Sequence, residues 1–318
     1  MIEAVLTGAI RSGTSVLFPC LGEVVAQRAG IINLGTEGSM LMGALAAFAV
    51  TAATGNPFLG VAAGGLGGAM LAFVHAFLVI ERRANQLATG LALMILGQGL
   101  TAFFGRSFVN RHIDGFNPLN IPVLSDIPIL GSILFKHDFL TYLAILLVPG
   151  VWFFLYRTRW GLTLRAAGER ESVVYACGRR VKPVKYLAVT CGGFLAGIGG
   201  AHLSTAYTLN WTENMTYGRG IVAVALVIFA SWLPFRAMLG AYLFGGASVL
   251  QPTFQVQGIG ISPFLLSMIP YVLTLLVLLT VRQHRYTMPE GLRAVFEGSG
   301  NTASFTDESP APGKGVDT

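Results

Sequence analysis

Charge in this chain is almost confined to short segments that separate apolar runs of about twenty residues. That pattern constrains the fold more than any single motif. A helix of about 20 apolar residues crosses the hydrocarbon of a bilayer and satisfies its own backbone there. Of the 318 residues, 53% are hydrophobic and 11% are charged. A soluble domain carries about 25% charged residues. Many of the 40 glycines lie inside the apolar runs, where helices in lipid pack closely through small residues. The fold class expected is all-α: a polytopic transmembrane helical bundle.

About nine spans are expected, within a range of eight to ten: roughly 4–26, 31–54, 57–80, 85–105, 139–156, 184–207, 220–235, 237–256 and 262–281. Arg11 and Glu23 interrupt the first, and Asn33 and Glu37 the second. Basic residues orient the bundle, because they stay on the cytoplasmic side. If the segment after the fifth span is cytoplasmic, 16 of the 21 Lys and Arg fall inside. Arg106, Arg111, Lys136 and Arg219 fall outside, and Arg11 lies within a span. This asymmetry predicts an outer N-terminus and a cytoplasmic C-terminus.

A transmembrane domain is expected over 1–285 and a cytoplasmic tail over 286–318, disordered from about 298, where Gly, Ser and Pro prevail. The outer loop, about 107–138, contains an apolar stretch, 127–135, too short to span and expected in the interface. The inner loop, about 157–185, is the most charged part of the chain. The N-terminus lacks a basic region and a small-residue cleavage site, so no cleaved signal peptide is expected. Cys20, Cys177 and Cys191 have no metal-ligand spacing and read as packing residues. The net charge of +6 follows from the inner loops and does not point to nucleic acid.

Three constellations stand out. In the inner loop, Val173, Val174, Cys177 and Val181 share one arc of a helix. Glu169 and Glu171 lie near its start, and Arg179, Arg180 and Lys182 near its end, in the order the helix dipole favours. An amphipathic helix over about 169–180 follows. It either rests on lipid headgroups or docks into a soluble partner. Second, Asn33 and Glu37 lie four apart among Gly30, Gly35 and Gly38. They are either polar glue between helices or a lining of a water-filled path. Third, Trp211-Thr-Glu-Asn-Met-Thr-Tyr-Gly-Arg-Gly-Ile221 is a polar island between apolar runs, expected at the outer water boundary, where Glu213 and Arg219 can pair. Asn85, Gln86 and Gln98 add neutral hydrogen-bonding groups, which suit a neutral polyhydroxylated solute better than an ion.

Catalysis finds little support. The five histidines are scattered, with no His-Glu-x-x-His, no Gly-x-Ser-x-Gly and no metal set. There is also no Gly-x4-Gly-Lys-[Ser/Thr], so the chain does not hold ATP phosphates in the P-loop manner. No cofactor is expected in this chain; if transport here is ATP-driven, another polypeptide must bind the ATP.

The segments Gly30-Ile-Ile-Asn-Leu-Gly-Thr-Glu-Gly-Ser-Met-Leu-Met-Gly-Ala44, Arg157-Thr-Arg-Trp-Gly-Leu-Thr-Leu-Arg-Ala-Ala-Gly-Glu169 and Gly193-Phe-Leu-Ala-Gly-Ile-Gly-Gly-Ala-His-Leu-Ser204, with the 211–220 island, resemble ABC-importer permeases. The branch is the branched-chain amino acid, ribose and nucleoside superfamily. Within it the chain is most similar to simple-sugar and purine-nucleoside permeases that work with a basic-membrane-protein type lipoprotein receptor. The likeness runs from about 20 to 280. The chain has Gly168-Glu-Arg-Glu171 where family loops often read Gly-Glu-Asn-Pro, and Ala176-Cys177-Gly178 where they read Ala-Ala-Gly.

The resemblance implies a permease subunit in a bacterial inner membrane that carries nucleosides or similar sugar-containing solutes. Its partners would be a second related permease subunit, two nucleotide-binding ATPase subunits or domains, and an extracytoplasmic solute-binding lipoprotein or periplasmic receptor. Asn33, Glu37, Asn85, Gln98, Trp211 and Asn214 are expected near the path or its outer gate. Gly168, Glu169, Ala176 and Gly178 are expected to couple the chain to the ATPase. The rivals are a secondary transporter with Glu37 or Glu213 as proton site, and a membrane-embedded enzyme.

Overall fold

The computed structural model describes residues 2–120, 133, 135–256, 262–280 and 288–297. Its helices are α1 (Ile2–Arg28), α2 (Thr36–Thr54), α3 (Pro57–Ile80), α4 (Gln86–Gly105), α5 (Phe139–Arg157), α6 (Arg159–Glu169), α7 (Glu171–Ala176), α8 (Val181–His202), α9 (Arg219–Phe229), α10 (Pro234–Val256), α11 (Pro263–Thr280) and α12 (Glu290–Glu297). Among the described residues the strands are β1 (Leu119–Asn120) and β2 (Lys136–His137), antiparallel with Leu119 opposite His137. The fold is all-helical, as the apolar runs require.

Polar residues mark the helix starts. Asn56 accepts from the amides of Phe58 (3.0 Å) and Leu59 (3.4 Å) ahead of Pro57. Asn85 caps α4, Asp138 caps α5 and Thr158 caps α6 in the same way, each satisfying amides that have no partner within the helix. The centre of the bundle is α1, α2, α3 and α8 packed backbone to backbone. A Cβ at Gly68 would meet the Gly193 carbonyl, and one at Gly197 the Gly64 carbonyl. Gly64-x-x-x-Gly68 and Gly193-x-x-x-Gly197, motifs through which helices pack closely in lipid, therefore pack on each other.

Six helical stretches among the described residues are long and apolar enough to cross a membrane: Glu3–Arg28, Thr36–Thr54, Pro57–Ile80, Gln86–Phe108, Phe139–Arg157 and Val181–Tyr207. The expected span 220–235 takes a different form. Its helix, α9, has 11 residues. That is about 16 Å, roughly half of a hydrocarbon core about 30 Å thick. The chain leading into it, 208–218, is irregular, with Trp211, Met215 and Thr216 buried in the bundle.

The expected helix 169–180 is also revised. Two helices, α6 and α7, meet at Arg170, and α7 stops at Ala176. Gly178 takes the left-handed conformation (φ 71°), and the amides of Gly178 and Arg179 bond back to Tyr175 and Val174. This is a helix end that glycine favours. The predicted apolar arc divides accordingly: Val174 and Val181 are buried, whereas Val173 and Cys177 are exposed. α12 folds back on this region, with Leu292 buried and Gly291 against Gly168 and Gly30. All of the interfacial stretch 127–135 but residues 133 and 135, and the tail from 298, lie outside the described residues.

Candidate translocation and coupling sites

Between α1 and α2 the chain is irregular yet buried, so its backbone needs partners from neighbouring side chains. It finds them. Ile32 donates to Gln86 Oε1 (2.9 Å), and its carbonyl meets His75 Nε2 (3.1 Å). Asn33 Oδ1 accepts from the Gly35 amide (2.9 Å). The lone intramembrane histidine of α3 is thus a packing residue.

The polar island begins where α8 closes in a wider π turn, Leu203–Tyr207. Such turns recur at functional sites. Trp211 follows. It is 1% exposed, packed among Ala44, Phe48, Leu203 and Met215, and Gly105 leaves the room its indole fills. The ring anchors the island and offers no open face. Asn214 (φ 59°), Tyr217 (φ 46°) and Gly218 (φ 78°) then take left-handed backbone. For a bulky residue such as Tyr217 this conformation is costly and persists only where surroundings hold it.

What holds it is Glu37. The Thr216 hydroxyl (2.5 Å) and the Gly218 amide (2.8 Å) donate to Oε1, and the Gly220 amide (2.6 Å) donates to Oε2. Glu37 lies in the first turn of α2 and against the start of α9. One carboxylate therefore serves two helix N-termini, each carrying partial positive charge. A Cβ at Gly220 would strike the Glu37 backbone, so only glycine fits there. Glu37 is 1% exposed.

Arg219 lies deeper than the outer boundary expected for it. Its Nη1 donates to Ser15 Oγ (2.7 Å), and Ser15 is the middle residue of the 27-residue α1. Its guanidinium lies 5.6 Å from the Tyr207 ring centroid. The expected pairing with Glu213 is not formed: Glu213 stays exposed, while Arg219 turns to Ser15. The far end of α9 is clasped as well. Ser231 and Trp232 are left-handed (φ 53° and 58°). Trp232 Nε1 donates to Gln27 Oε1 (2.8 Å), Gln27 Nε2 to Glu23 Oε2 (3.0 Å), and Thr36 Oγ1 to Glu23 Oε1 (2.5 Å). Arg28 Nη2 reaches the Ser231 carbonyl (3.3 Å) and Tyr156 Oη (3.1 Å).

The remaining path candidates are dispersed. Asn33 is buried in its own turn, Asn85 is an exposed helix cap, Gln98 is half-buried on α4, and Asn214 is an exposed turn residue. Of the six, the structure brings only Glu37, Trp211 and Asn214 into one region. Sequence reasoning missed Ser15, Gln27 and Trp232. The available signal was a set of polar residues within the apolar run of α1: Ser12, Thr14, Ser15 and Gln27, all buried.

At the other end, Gly168 is a spacer rather than a surface. A Cβ there would strike the Arg28 carbonyl, and its own Cα lies close to Gly30. Glu169, Ala176 and Gly178 are exposed around α7, together with Val173 and Tyr175. Lys185–Glu171 (2.5 Å), Lys182–Glu81 (2.7 Å) and Arg170–Glu290 (3.3 Å) are ion pairs at this surface. Arg179 Nη1 donates to Thr163 Oγ1 (2.6 Å), fixing the end of α7 to α6. Among the described residues, no group of three His, Cys, Asp or Glu could hold a metal ion.

The family model described as branched-chain amino acid transport system / permease component matches residues 5–278. A Haloferax volcanii protein, provisionally named a glucose ABC transporter permease, is 45% identical over 81% of this chain and 80% of its own length. The nucleoside ABC transporter permease protein of Lactococcus lactis is 31% identical over 87% of this chain and 92% of its own. The guanosine ABC transporter permease protein NupQ of Bacillus subtilis is 32% identical over 82% and 86%. No solved structure matches.

Proposed function

The chain belongs to the permease-component family of branched-chain amino acid transport systems, and on that premise we propose that it forms the membrane path of an ATP-driven importer for nucleosides or similar sugar-containing solutes. The observation that carries this reading is the match over 5–278 together with relatives named as nucleoside and sugar ABC permeases. The chain performs no covalent chemistry. It offers alternating access, and ATP bound and hydrolysed on two nucleotide-binding subunits drives the change. A second related permease and an extracytoplasmic solute receptor complete the assembly in a plasma membrane, with the α6–α7 end on the cytoplasmic side.

In this reading α7 is the coupling element. Glu169, Ala176 and Gly178, with exposed Val173 and Tyr175, meet the ATPase, and buried Gly168 relays its displacement. Gly168 lies against the backbone of Arg28 and Gly30, and Arg28 bonds the turn after α9. A push on α6 therefore reaches the half-helix without passing through lipid-facing residues. Asn214 and Gln98 remain candidates for contact with solute at the path or gate. Asn33, Glu37 and Trp211 support the wall behind it, and Asn85 stabilises the start of α4.

The test is uptake of radiolabelled guanosine and glucose into vesicles holding this chain, its ATPase and its receptor. Uptake that requires ATP and withstands an uncoupler is expected. Uptake that persists without ATP and collapses with the uncoupler would establish the rival, an ion-coupled secondary transporter.

A further inference from the structure

α1 carries a polar seam of which the island takes up Ser15 and leaves the N-terminal part outside both the clasp and the coupling surface. Glu3, Thr7, Arg11 and Ser15 are spaced four apart, which sets them along one face of the helix. Glu3, Thr7 and Arg11, with Ala4 and Gly8, line an open groove of about 460 Å³. At its deep end Arg11 Nη2 donates to the Ala206 carbonyl (3.3 Å). One turn further along α1, Ser15 accepts from Arg219, whose guanidinium lies over Tyr207. Ala206 and Tyr207 are neighbours in the π turn, so the two guanidiniums flank that turn. Together they join the groove to the start of the half-helix.

A surface of this composition does not suit lipid. A charged side chain facing hydrocarbon near mid-membrane is costly, and intramembrane charges face protein or water. The lipid-suited surface of this chain looks different: Leu66, Met70 and Phe73 on α3 are exposed and wholly apolar. The deep end of the seam also has a definite chemical character. Each guanidinium presents N–H donors in a planar fork. The Glu37 carboxylate, near Arg219, is consumed by the clasp. At the deep end of the groove, two turns of α1 from Glu3, the Arg11 guanidinium disfavours a cation and favours oxygen acceptors.

We infer that the Glu3–Thr7–Arg11 groove is one wall of the solute path at the N-terminal end of α1, and that Arg11 donates to hydroxyl and carbonyl oxygens of a neutral, oxygen-rich solute. This rests on the permease reading and specifies which face of the chain carries the cargo.

The test uses the assembled transporter in membranes, with the exposed Cys177 and Cys191 changed to Ser and Cys20 left buried. Thr7→Cys is treated with a charged, membrane-impermeant methanethiosulfonate, with and without saturating guanosine or glucose and the receptor. Met70→Cys serves as the lipid-facing control. The inference expects Thr7→Cys to react, Met70→Cys to stay unreactive, and one of the two solutes to slow the Thr7→Cys reaction several-fold. If Thr7→Cys reacts only with a lipid-soluble maleimide, as Met70→Cys does, the seam faces lipid and the inference fails. Reaction from water that neither solute slows overturns the solute contact. Labelling does not depend on what drives transport, so ATP-independent uptake with protected labelling would remove the importer reading and leave the seam.

Discussion

The island at 211–221 and the helix pair at 159–176 are both polar interruptions between apolar runs, yet they fold in opposite senses. The island turns inward. The Gly218 and Gly220 amides, Thr216 and Arg219 are taken up by Glu37 and Ser15, the chain accepts left-handed backbone at Tyr217 to deliver them, and Glu213 and Asn214 stay exposed. The helix pair turns outward. Its charges form exposed ion pairs, Val173 and Tyr175 face outward, and only Gly168, Val174 and their neighbours are committed to packing. The difference comes from the backbone. Irregular chain within a bundle must have every N–H answered by protein, so scarce polar side chains are consumed there. Two short helices at the bundle end, α6 capped by Thr158 and α7 closed by the Gly178 turn, meet most of their own backbone bonds and leave their side chains exposed.

The comparison breaks most sharply at Glu37. Glu37→Ala leaves the buried Gly220 amide, the part-buried Gly218 amide and the buried Thr216 hydroxyl without an acceptor, each costing about 1–3 kcal/mol. It should prevent accumulation of folded permease, read as lost monodispersity and protease resistance in detergent. Glu37→Gln keeps one acceptor and should fall between. Trp211→Ala removes the anchor of the island and should cost about 3–5 kcal/mol, seen as a lowered unfolding midpoint. A path role for Trp211 would instead lower uptake at unchanged stability. Gly168→Leu forces a side chain against the Arg28 carbonyl, for about 1–3 kcal/mol of overpacking. ATP hydrolysis should become uncoupled from uptake while the ATPase remains bound. Tyr175→Ala should change stability by less than about 0.5 kcal/mol, as exposed substitutions do, and still abolish ATP-driven uptake. Normal uptake by that variant would remove α7 from the coupling surface.

Much of the architecture was legible in the sequence. Apolar runs bounded by Asn56–Pro57, by Asn85 and by Asp138 mark helices whose starts match to within a few residues, because capping is local chemistry. The paired Gly-x-x-x-Gly motifs announced close packing, although not that they would meet each other. The inward fold of the island was not legible. Its decisive partner, Glu37, lies some 180 residues away from Gly218 and Gly220, and nothing local distinguishes an outer loop from a chain that re-enters the bundle. The basic-residue count treated Arg219 as a loop charge for the same reason. α9 read as a full span because its apolar run continues past Phe229 to Trp232, where two left-handed residues end the helix.

The unfolding midpoint of detergent-solubilised Glu37→Ala, measured beside Tyr175→Ala, tests this division of labour most directly. A large drop for Glu37→Ala and almost none for Tyr175→Ala is the predicted result. An unchanged midpoint for Glu37→Ala, with uptake lost, would mean that Glu37 faces the solute and that the island is not held by it.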